Sequence, residues 1–263
     1  MHELICIVNF LPVTTKPAKL RADQLLVESG LSESRTQAQA LILAGRVYRG
    51  EERVEKPGAL LARDSGLSVR GTPRYVSRGG EKLEGALQEL AVEVAALVCL
   101  DIGAATGGFT DCLLQHGAKK VYAVDVGHGQ LAQKLRADPR VVVMERVNAR
   151  ALEPGAFAEP IDLVVVDASF IGLDKLLPAI AKLSPQGARL LALIKPQFEV
   201  GRDEARRARG VIKDDRVRRE AIARSIESVA AHGFEVRGSS DSRLPGPKGN
   251  VEHFVLAVRR TSR

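Results

Sequence analysis

Short apolar runs alternate with polar, glycine-containing segments along the chain beyond residue 97. Continuous apolar runs are typical of buried strands, and apolar positions spaced three and four residues apart are typical of helices that pack on them. This alternation predicts a doubly wound α/β sheet. The predicted strands are 98–102, 119–125, 140–145, 161–166, 188–194, 234–239 and 251–258, and the predicted helices are 107–116, 129–136, 173–183 and 214–232.

Residues 19–70 show a different pattern, with two short apolar helix faces followed by short extended pieces. Leucines along residues 20–31 predict a first helix that Lys19 and Arg21 open. Ser32 and Ser34 are good N-caps for a second helix from about Arg35 to Ala44. Two helices and a small sheet predict a compact α+β module. The predicted organisation is an N-terminal extension over 1–18, this module over 19–70, a linker over 71–76 and the α/β domain over 77–263.

The chain is basic, because it has 39 lysines and arginines and 32 acidic residues, which gives a net charge of +7. A basic surplus favours an anionic partner, most often a nucleic acid. The scattered cysteines Cys6, Cys99 and Cys112 have no disulfide or zinc spacing, so we expect a reducing cytoplasm and no metal. Membrane insertion is not expected, since no apolar run reaches the roughly twenty residues that span a bilayer.

A small-residue turn at 103–108 follows the predicted strand 98–102. In a parallel sheet such a turn lies at the carboxyl end of the strands, where ligands bind, and its small residues would let a ligand approach the backbone. It fits neither nucleotide pattern, because Ala105 replaces the second glycine of G-x-G-x-x-G and Phe109 stands where a phosphate-binding loop has lysine. The next strand ends in Asp125, as a ribose-binding acid should. A purely structural turn followed by a chance acid is the alternative.

Charged residues also lie at other strand ends and element starts. Asp167 and Lys195 follow two predicted strands, and Glu252 lies near the start of the last one. Lys82 is predicted in the first turn of a helix that begins near Gly80, where the helix dipole disfavours a cation. A charge at the end of a buried strand is costly unless it is paired or lies in a cleft. These side chains can converge on one edge, either as a site or as a structural salt bridge.

Three resemblances to known families follow from these residues. The glycine turn with Asp125 is similar to the first motif of S-adenosylmethionine (SAM) methyltransferases. The set Lys82, Asp167, Lys195 and Glu252, here called the tetrad, resembles the Lys-Asp-Lys-Glu tetrad of FtsJ-like ribose 2'-O-methyltransferases. The segments 19–27, 34–38 and 43–48 resemble the RNA-binding domain named after ribosomal protein S-four, although Arg49-Gly50 replaces its usual Asn-Gly hairpin.

From about residue 19 to 260 the chain resembles the TlyA/hemolysin A family of ribosomal RNA 2'-O-methyltransferases. Likeness is greatest at 77–83, 122–127, 129–132, 167–171 and 194–199, while His128 and His253 replace aromatic residues common in that family. The resemblance implies a Rossmann-like SAM-dependent methyltransferase sheet of seven strands, with the last antiparallel. It also implies SAM as cofactor and ribosomal RNA or ribosomal subunits as partner, with cytidine as the target.

The resemblance further assigns roles to single residues. Lys195 would orient a ribose 2'-hydroxyl and accept its proton, Asp167 and Glu252 would fix the lysines, and Lys82 would hold the ribose or its phosphate. The predicted cofactor contacts are Gly103, Ala104, Thr106, Gly107, Gly108, Phe109, Asp125, Val126, Asn148 and Asp167. The predicted RNA contacts are Lys19, Arg21, Arg35, Arg46, Arg49 and Arg78.

Other classes of protein stay open at this point. A non-catalytic RNA-binding assembly protein could keep the same fold, but an intact tetrad and turn argue against it. A cytolysin is disfavoured because the sequence has no membrane-spanning segment, secretion signal or strongly amphipathic apolar helix. A pseudouridine synthase would need its own catalytic aspartate and no such turn. The basic run 202–219 is either a loop that closes over RNA or an ordinary solvated loop.

Overall fold

A computed structural model describes residues 19–71, 74–201, 208, 210–246 and 248–261. The chain divides into two compact units, Met1–Thr72 and Pro73–Arg263. The predicted extension 1–18 lies outside the described residues, as do positions 72 and 73 of the predicted linker and positions 202–207 and 209 of the basic run.

The first unit contains two helices and two small antiparallel sheets. Strand β1 pairs with β4, and β2 pairs with both β3 and β5. Leu26, Ile42 and Val47 fill its core with at most 1% of each side chain exposed. Its elements are β1 (Lys19–Arg21), α1 (Ala22–Glu28), α2 (Arg35–Leu43), β2 (Val47–Arg49), β3 (Glu52–Arg53), β4 (Leu60–Ala62) and β5 (Leu67–Val69).

The start of this unit differs from the sequence prediction. Lys19 does not open the first helix, because Lys19–Arg21 pairs with Ala62–Leu60 as a strand; Arg21 ends this strand and is the N-cap of the helix, which begins at Ala22. The second helix begins at Arg35 as predicted. Of its two predicted caps, Ser34 holds the N-cap position and its hydroxyl accepts from the Gln37 N–H.

The second unit is a seven-stranded sheet with helices on both faces. Its strand order is β11-β12-β10-β9-β6-β7-β8, and β12 runs antiparallel to both of its neighbours. This confirms the predicted methyltransferase-type sheet. Its elements are α3 (Arg78–Glu89), β6 (Val98–Ile102), α4 (Gly108–Gln115), β7 (Lys120–Asp125), α5 (Gln133–Arg136), β8 (Val141–Glu145), β9 (Leu163–Val166), α6 (Leu177–Leu183), β10 (Arg189–Ile194), α7 (Pro196–Glu199), α8 (Asp215–Ala231), β11 (Phe234–Asp241) and β12 (His253–Arg259).

Helices deviate from the sequence prediction more than strands do. The predicted helix 129–136 is reduced to α5, because the residues before it form a loop held by long-range contacts described below. The predicted helix 173–183 begins as a 3-10 turn and becomes α-helical at Leu177, where Pro178 fits the first turn without losing a hydrogen bond. The short helix α7 was not predicted.

Two apolar cores lie against the faces of the sheet, one with α6 and α8 and the other with α3 and α4. Every residue of β6, the central strand of the parallel part, is buried. Because the parallel strands β6 to β10 share one direction, their carboxyl ends meet at one edge of the sheet. Within the described ranges, no helix combines the length and apolar character that a membrane span requires.

Candidate active site

Two lysine–carboxylate pairs lie at the carboxyl edge of the sheet. Lys195 Nζ is 2.6 Å from Asp167 Oδ1, and Lys82 Nζ is 2.5 Å from Glu252 Oε2. Asp167 and Lys195 directly follow the neighbouring strands β9 and β10. Glu252 reaches the same edge from the opposite direction, because antiparallel β12 starts where β10 ends. The structure therefore joins the tetrad as two ion pairs.

Lys82 is more deeply placed than the sequence predicted. Since α3 begins at Arg78, Lys82 lies beyond its first turn, so the expected conflict with the helix dipole is wrong. Its side chain is 9% exposed and that of Glu252 is 1% exposed. A buried ammonium group requires a negatively charged partner. Glu252, which lies 170 positions further along the chain, is the partner of Lys82.

Three oxygen atoms surround the Lys195 ammonium. Besides the ion pair with Asp167 Oδ1, Nζ donates to Ser169 Oγ at 2.8 Å and to the Asp167 carbonyl at 3.5 Å. Burial raises the pKa of the Asp167 carboxyl above its ordinary value, and the neighbouring Lys195 charge opposes that rise. The charge of Lys195 therefore offsets part of the rise in the pKa of Asp167 that burial causes.

Sequence reasoning missed two polar neighbours of the tetrad. Ser169 contacts Lys195, and Gln197 Nε2 lies 3.4 Å from Glu252 Oε1. Each follows by two positions the charged residue that ends a strand, Asp167 or Lys195. That spacing is the signal that could have found them.

The glycine turn and Asp125 form the adjoining part of this edge. Asp125 Oδ2 accepts from the Ala105 N–H at 2.9 Å, and Oδ1 accepts from the Gly127 N–H at 2.6 Å. The carboxylate therefore ties the loop after β6 to the loop after β7. Thr106 is exposed, and Val126 next to the carboxylate is 73% exposed. These residues form an accessible surface of mixed polarity.

The structure gives its own reason for two of the predicted glycines. Gly103 has a φ of +88°, and a Cβ there would lie 2.8 Å from the Asp167 carbonyl oxygen. Gly107 has a φ of +94°, and a Cβ there would collide with Leu135 and approach Leu131 to 2.8 Å. Neighbouring parts of the chain, rather than a ligand, already require glycine at these two positions.

Two of the predicted cofactor contacts, Phe109 and Asn148, interact with other residues of the protein. Phe109 is 2% exposed and its ring stacks on Phe254 with ring centroids 6.1 Å apart, so the ring lies in the apolar core and the cofactor contact of this residue stays a prediction. Asn148 is exposed at the N-cap of a 3-10 turn, where its Oδ1 accepts from the Arg150 N–H at 3.1 Å. Ala104 and Gly108 are buried within the turn.

Asp101 is a buried carboxyl group that the sequence analysis left without a role. It lies in β6, one residue before the end of the strand, and is fully buried, and its Oδ2 accepts from Thr110 Oγ1 at 2.6 Å. Burial raises the pKa of Asp101 from 3.8 to about 7. The detectable signal was a single acidic residue inside an otherwise apolar strand.

Glu145, at the end of β8, organises the loop that follows Asp125. Its carboxylate accepts from the backbone N–H groups of Gly129 and Leu131 and pairs with Arg136 and with His128 Nδ1, the last at 3.1 Å. These contacts lower the pKa of Glu145 to about 2, and the Gly129 N–H is the largest cause. No pattern in the sequence predicted a role for Glu145.

Five of the six predicted RNA contacts lie in the first unit. Arg21 and Arg35 both bond the buried Asp23 carboxylate, at 2.8 and 3.3 Å, which holds the pKa of Asp23 well below its usual range. Arg49 pairs with Glu52. Lys19 lies in β1, Arg46 directly precedes β2, and Arg78 of the second unit donates to the Pro245 carbonyl at 2.9 Å.

An exposed aromatic residue stands beside the tetrad. Phe170 is 91% exposed and has a φ of +66°, which is strained for a bulky residue. Its ring centroid lies 5.3 Å from that of Phe198, the residue next to Gln197. The strand ends that carry the tetrad therefore also present apolar ring surface to solvent.

A sheet of this strand order with a polar carboxyl edge defines a Rossmann-like methyltransferase fold. Comparison with family models gives the particular family: residues 75–259 match the FtsJ-like methyltransferase model and residues 20–64 match the S4 domain model. The chain belongs to the FtsJ-like methyltransferase family and carries an S4 domain.

Individual relatives agree with this assignment. The chain is 45% identical over 250 residues to "16S/23S rRNA (cytidine-2'-O)-methyltransferase TlyA" of Mycobacterium tuberculosis, covering 93% of this chain and 92% of that protein. It is 49% identical over 240 residues to "Putative rRNA methyltransferase YqxC" of Bacillus subtilis, with coverages of 90% and 85%. The solved "Putative hemolysin from Streptococcus thermophilus" has a TM-score of 0.73 and 40% identity, with coverages of 94% and 90%. The family resemblance is thereby confirmed.

Proposed function

We propose that this protein transfers a methyl group from SAM to a ribose 2'-hydroxyl of cytidine in ribosomal RNA. The observation that carries the proposal is the tetrad itself, two buried lysine–carboxylate pairs beside the glycine turn in a chain of the FtsJ-like family. Residues 77–263 would carry out the transfer and residues 19–70 would hold the RNA. The relatives named as ribosomal RNA methyltransferases support this substrate, and we infer from it a cytoplasmic location.

The residues around the glycine turn fit a bound SAM molecule. Asp125 uses each carboxylate oxygen once for a backbone N–H, which leaves acceptor capacity for ribose hydroxyls. Exposed Val126 would offer an apolar face for adenine, and exposed Thr106 would contact the methionine part. When bound, SAM supplies an electrophilic methyl group, so this proposal requires no metal ion.

The tetrad would position and activate the hydroxyl. A ribose 2'-hydroxyl is a poor nucleophile at neutral pH and needs alignment and loss of its proton. We assign alignment of the hydroxyl to Lys195 and binding of the ribose or its phosphate to Lys82. Asp167 and Glu252 hold the two cations in place, at 2.6 and 2.5 Å.

Methylation of a hydroxyl oxygen releases the hydroxyl proton, and we assign its uptake to Lys195. Lys195 must then enter the step as a neutral amine. Asp167 is placed to take the proton of the ammonium, since its Oδ1 is 2.6 Å from Nζ and burial raises the pKa of its carboxyl. The proton would therefore pass through this pair on its way to solvent.

Phe170 adds a surface that suits an unpaired base. Proteins that recognise single-stranded RNA stack its bases on aromatic rings. Phe170 is exposed and lies one residue from Ser169, the contact of Lys195. This placement supports a target nucleotide that is turned out of a helix.

The test is transfer of labelled methyl from SAM to isolated ribosomal subunits by wild type, Lys195→Ala and Lys182→Ala. We expect label in RNA that resists alkaline cleavage at one ribose. Loss of proton transfer should lower kcat of Lys195→Ala by about 100-fold or more, while Lys182→Ala, which changes a lysine on α6 paired with Glu153, should act like wild type. Measurable SAM binding without transfer to either subunit would contradict the proposal and favour a non-catalytic assembly protein.

A further inference from the structure

Oxygen atoms of the protein already surround the Lys195 ammonium group. An ammonium group carries three N–H bonds. Three oxygens lie within reach of Nζ, namely Asp167 Oδ1 at 2.6 Å, Ser169 Oγ at 2.8 Å and the Asp167 carbonyl at 3.5 Å. The Lys195 side chain is 9% exposed, so little space around Nζ is open to solvent. An RNA hydroxyl can therefore reach Nζ only by replacing a partner that is already there.

Ser169 is the partner that can leave. Asp167 is fixed, because its N–H donates to the Ile102 carbonyl at 2.9 Å and its carboxylate balances the lysine charge. Ser169 is exposed and lies in the loop between β9 and the 3-10 turn that starts at Leu173. The following residue, Phe170, has a strained φ of +66°, so the loop holds this arrangement at a cost that a shift can relieve.

We propose that Ser169 Oγ occupies, in the RNA-free protein, the place on Lys195 that the target 2'-hydroxyl takes during the reaction. Both groups are alcohols whose oxygen can accept and whose O–H can donate, so one can replace the other beside Nζ whether or not the lysine carries its extra proton. The inference rests on the proposed function, because it assigns the incoming hydroxyl to Lys195. It makes Ser169 a competitor of the substrate rather than a member of the catalytic set.

A group that competes with the substrate for Lys195 changes the KM for RNA and does not change kcat. The net free energy of one intramolecular hydrogen bond over its exchange with water corresponds to about a twofold to tenfold change in an equilibrium constant. Removing the Ser169 hydroxyl should lower the KM for RNA by that factor. The kcat value should stay the same, because in the reacting complex Ser169 has already given up its contact.

The experiment measures methyl transfer from labelled SAM over a range of ribosomal subunit concentrations. Ser169→Ala and Ser169→Cys, whose sulfur is a weak acceptor, should both show a KM lowered about twofold to tenfold. Ser169→Thr keeps the hydroxyl and should keep the wild-type KM. Ser239→Ala removes an exposed serine hydroxyl from β11 and is the matched control.

Each remaining outcome overturns the inference in a recognisable way. A fall in kcat for Ser169→Ala with an unchanged KM would show that the hydroxyl is needed in the reacting complex. Unchanged KM and kcat in Ser169→Ala and Ser169→Cys would show that the hydroxyl does not compete. Either result with an active wild type leaves the proposed function standing. An inactive wild type that binds SAM would instead overturn the proposed function and this inference with it.

Discussion

Carboxyl groups near the carboxyl edge of the sheet differ in charge because their surroundings differ. Asp101 has hydrogen bonds from Thr110 and no adjacent cation within β6, and burial raises its pKa to about 7. Glu145 receives backbone N–H groups and Arg136, and its pKa falls to about 2. At neutral pH the protein therefore keeps Glu145 fully ionised while Asp101 is close to its titration midpoint.

Asp101 should make the protein less stable as pH rises. Between 3.8 and about 7 the folded protein keeps the Asp101 proton and the unfolded chain loses it. The free energy of unfolding then falls with rising pH through that window, by up to about 4 kcal/mol at about 1.4 kcal/mol for each pKa unit. Asp101→Asn cannot ionise, so the Tm of this variant minus that of wild type should increase from pH 4.5 to 7.5.

Thermal melting of both proteins in buffers across this range measures the difference. The other titrating groups are common to the two proteins and cancel. A constant offset is expected from the new amide, whose N–H groups enter a buried position. A Tm difference that does not change with pH would show that Asp101 titrates in the folded protein as it does in the unfolded chain.

At the scale of elements, Glu145 controls a loop that no local pattern predicts. The loop between Asp125 and α5 is bonded through Gly129 and Leu131 to a carboxylate on the next strand. Glu145→Ala removes these acceptors and the partner of Arg136. Because the loop carries Val126, its loosening should weaken SAM binding by about fivefold to tenfold, at about 1 kcal/mol for a lost hydrogen bond.

Titration calorimetry with SAM tests this prediction. Glu159→Ala is a matched control, because Glu159 also has a pKa lowered to about 2 by two lysines, Lys119 and Lys120, at the opposite end of β7. Its SAM affinity should equal that of wild type. Equal affinity in Glu145→Ala as well would mean that the loop keeps its form without the carboxylate.

Sequence patterns predicted the strands of the sheet well and the loops poorly. Each predicted sheet strand agrees with the observed one within two residues at either end, because continuous apolar runs mark strands that are buried on both faces. The helix predicted over 129–136 mostly failed, since Glu145 bonds its first half as a loop. Strand β1 was missed because its partner, Leu60–Ala62, is distant in sequence.

In the candidate site, too, the residues that follow strands were predicted well and the contacts made by loops were not. Charged residues after buried strands indicated that Asp167 and Lys195 converge, and topology alone made that expectation reasonable. The pairing of Lys82 with Glu252 links residues 170 positions apart, which no periodicity encodes. Ser169 and Gln197 lie in loops, where side-chain contacts depend on the folded path of the backbone.

At the scale of the whole molecule, the basic surplus bears on how RNA is held. The net charge of +7 attracts any polyanion, so it raises affinity without choosing a surface. Within the first unit, Arg21 and Arg35 bond Asp23, which is 0% exposed. Replacing either arginine would remove a partner of this buried carboxylate and destabilise the unit. A loss of RNA affinity in such a variant could then come from unfolding as well as from a lost RNA contact. Lys19 and Arg49 are exposed and allow a cleaner test.

The double variant Lys19→Glu/Arg49→Glu should raise the KM for ribosomal subunits and leave SAM affinity and the kcat at saturating RNA unchanged. Each lost phosphate contact should also reduce the slope of log affinity against log salt by about 0.7 to 0.9. Lys182→Glu/Arg237→Glu introduces the same charge change on exposed positions of the second unit and should keep the wild-type slope. The two double variants change the net charge equally and differ only in whether the changed residues can contact RNA phosphates from the S4 domain. An equal loss of affinity in both would therefore show that overall charge, and not the S4 domain, holds the RNA.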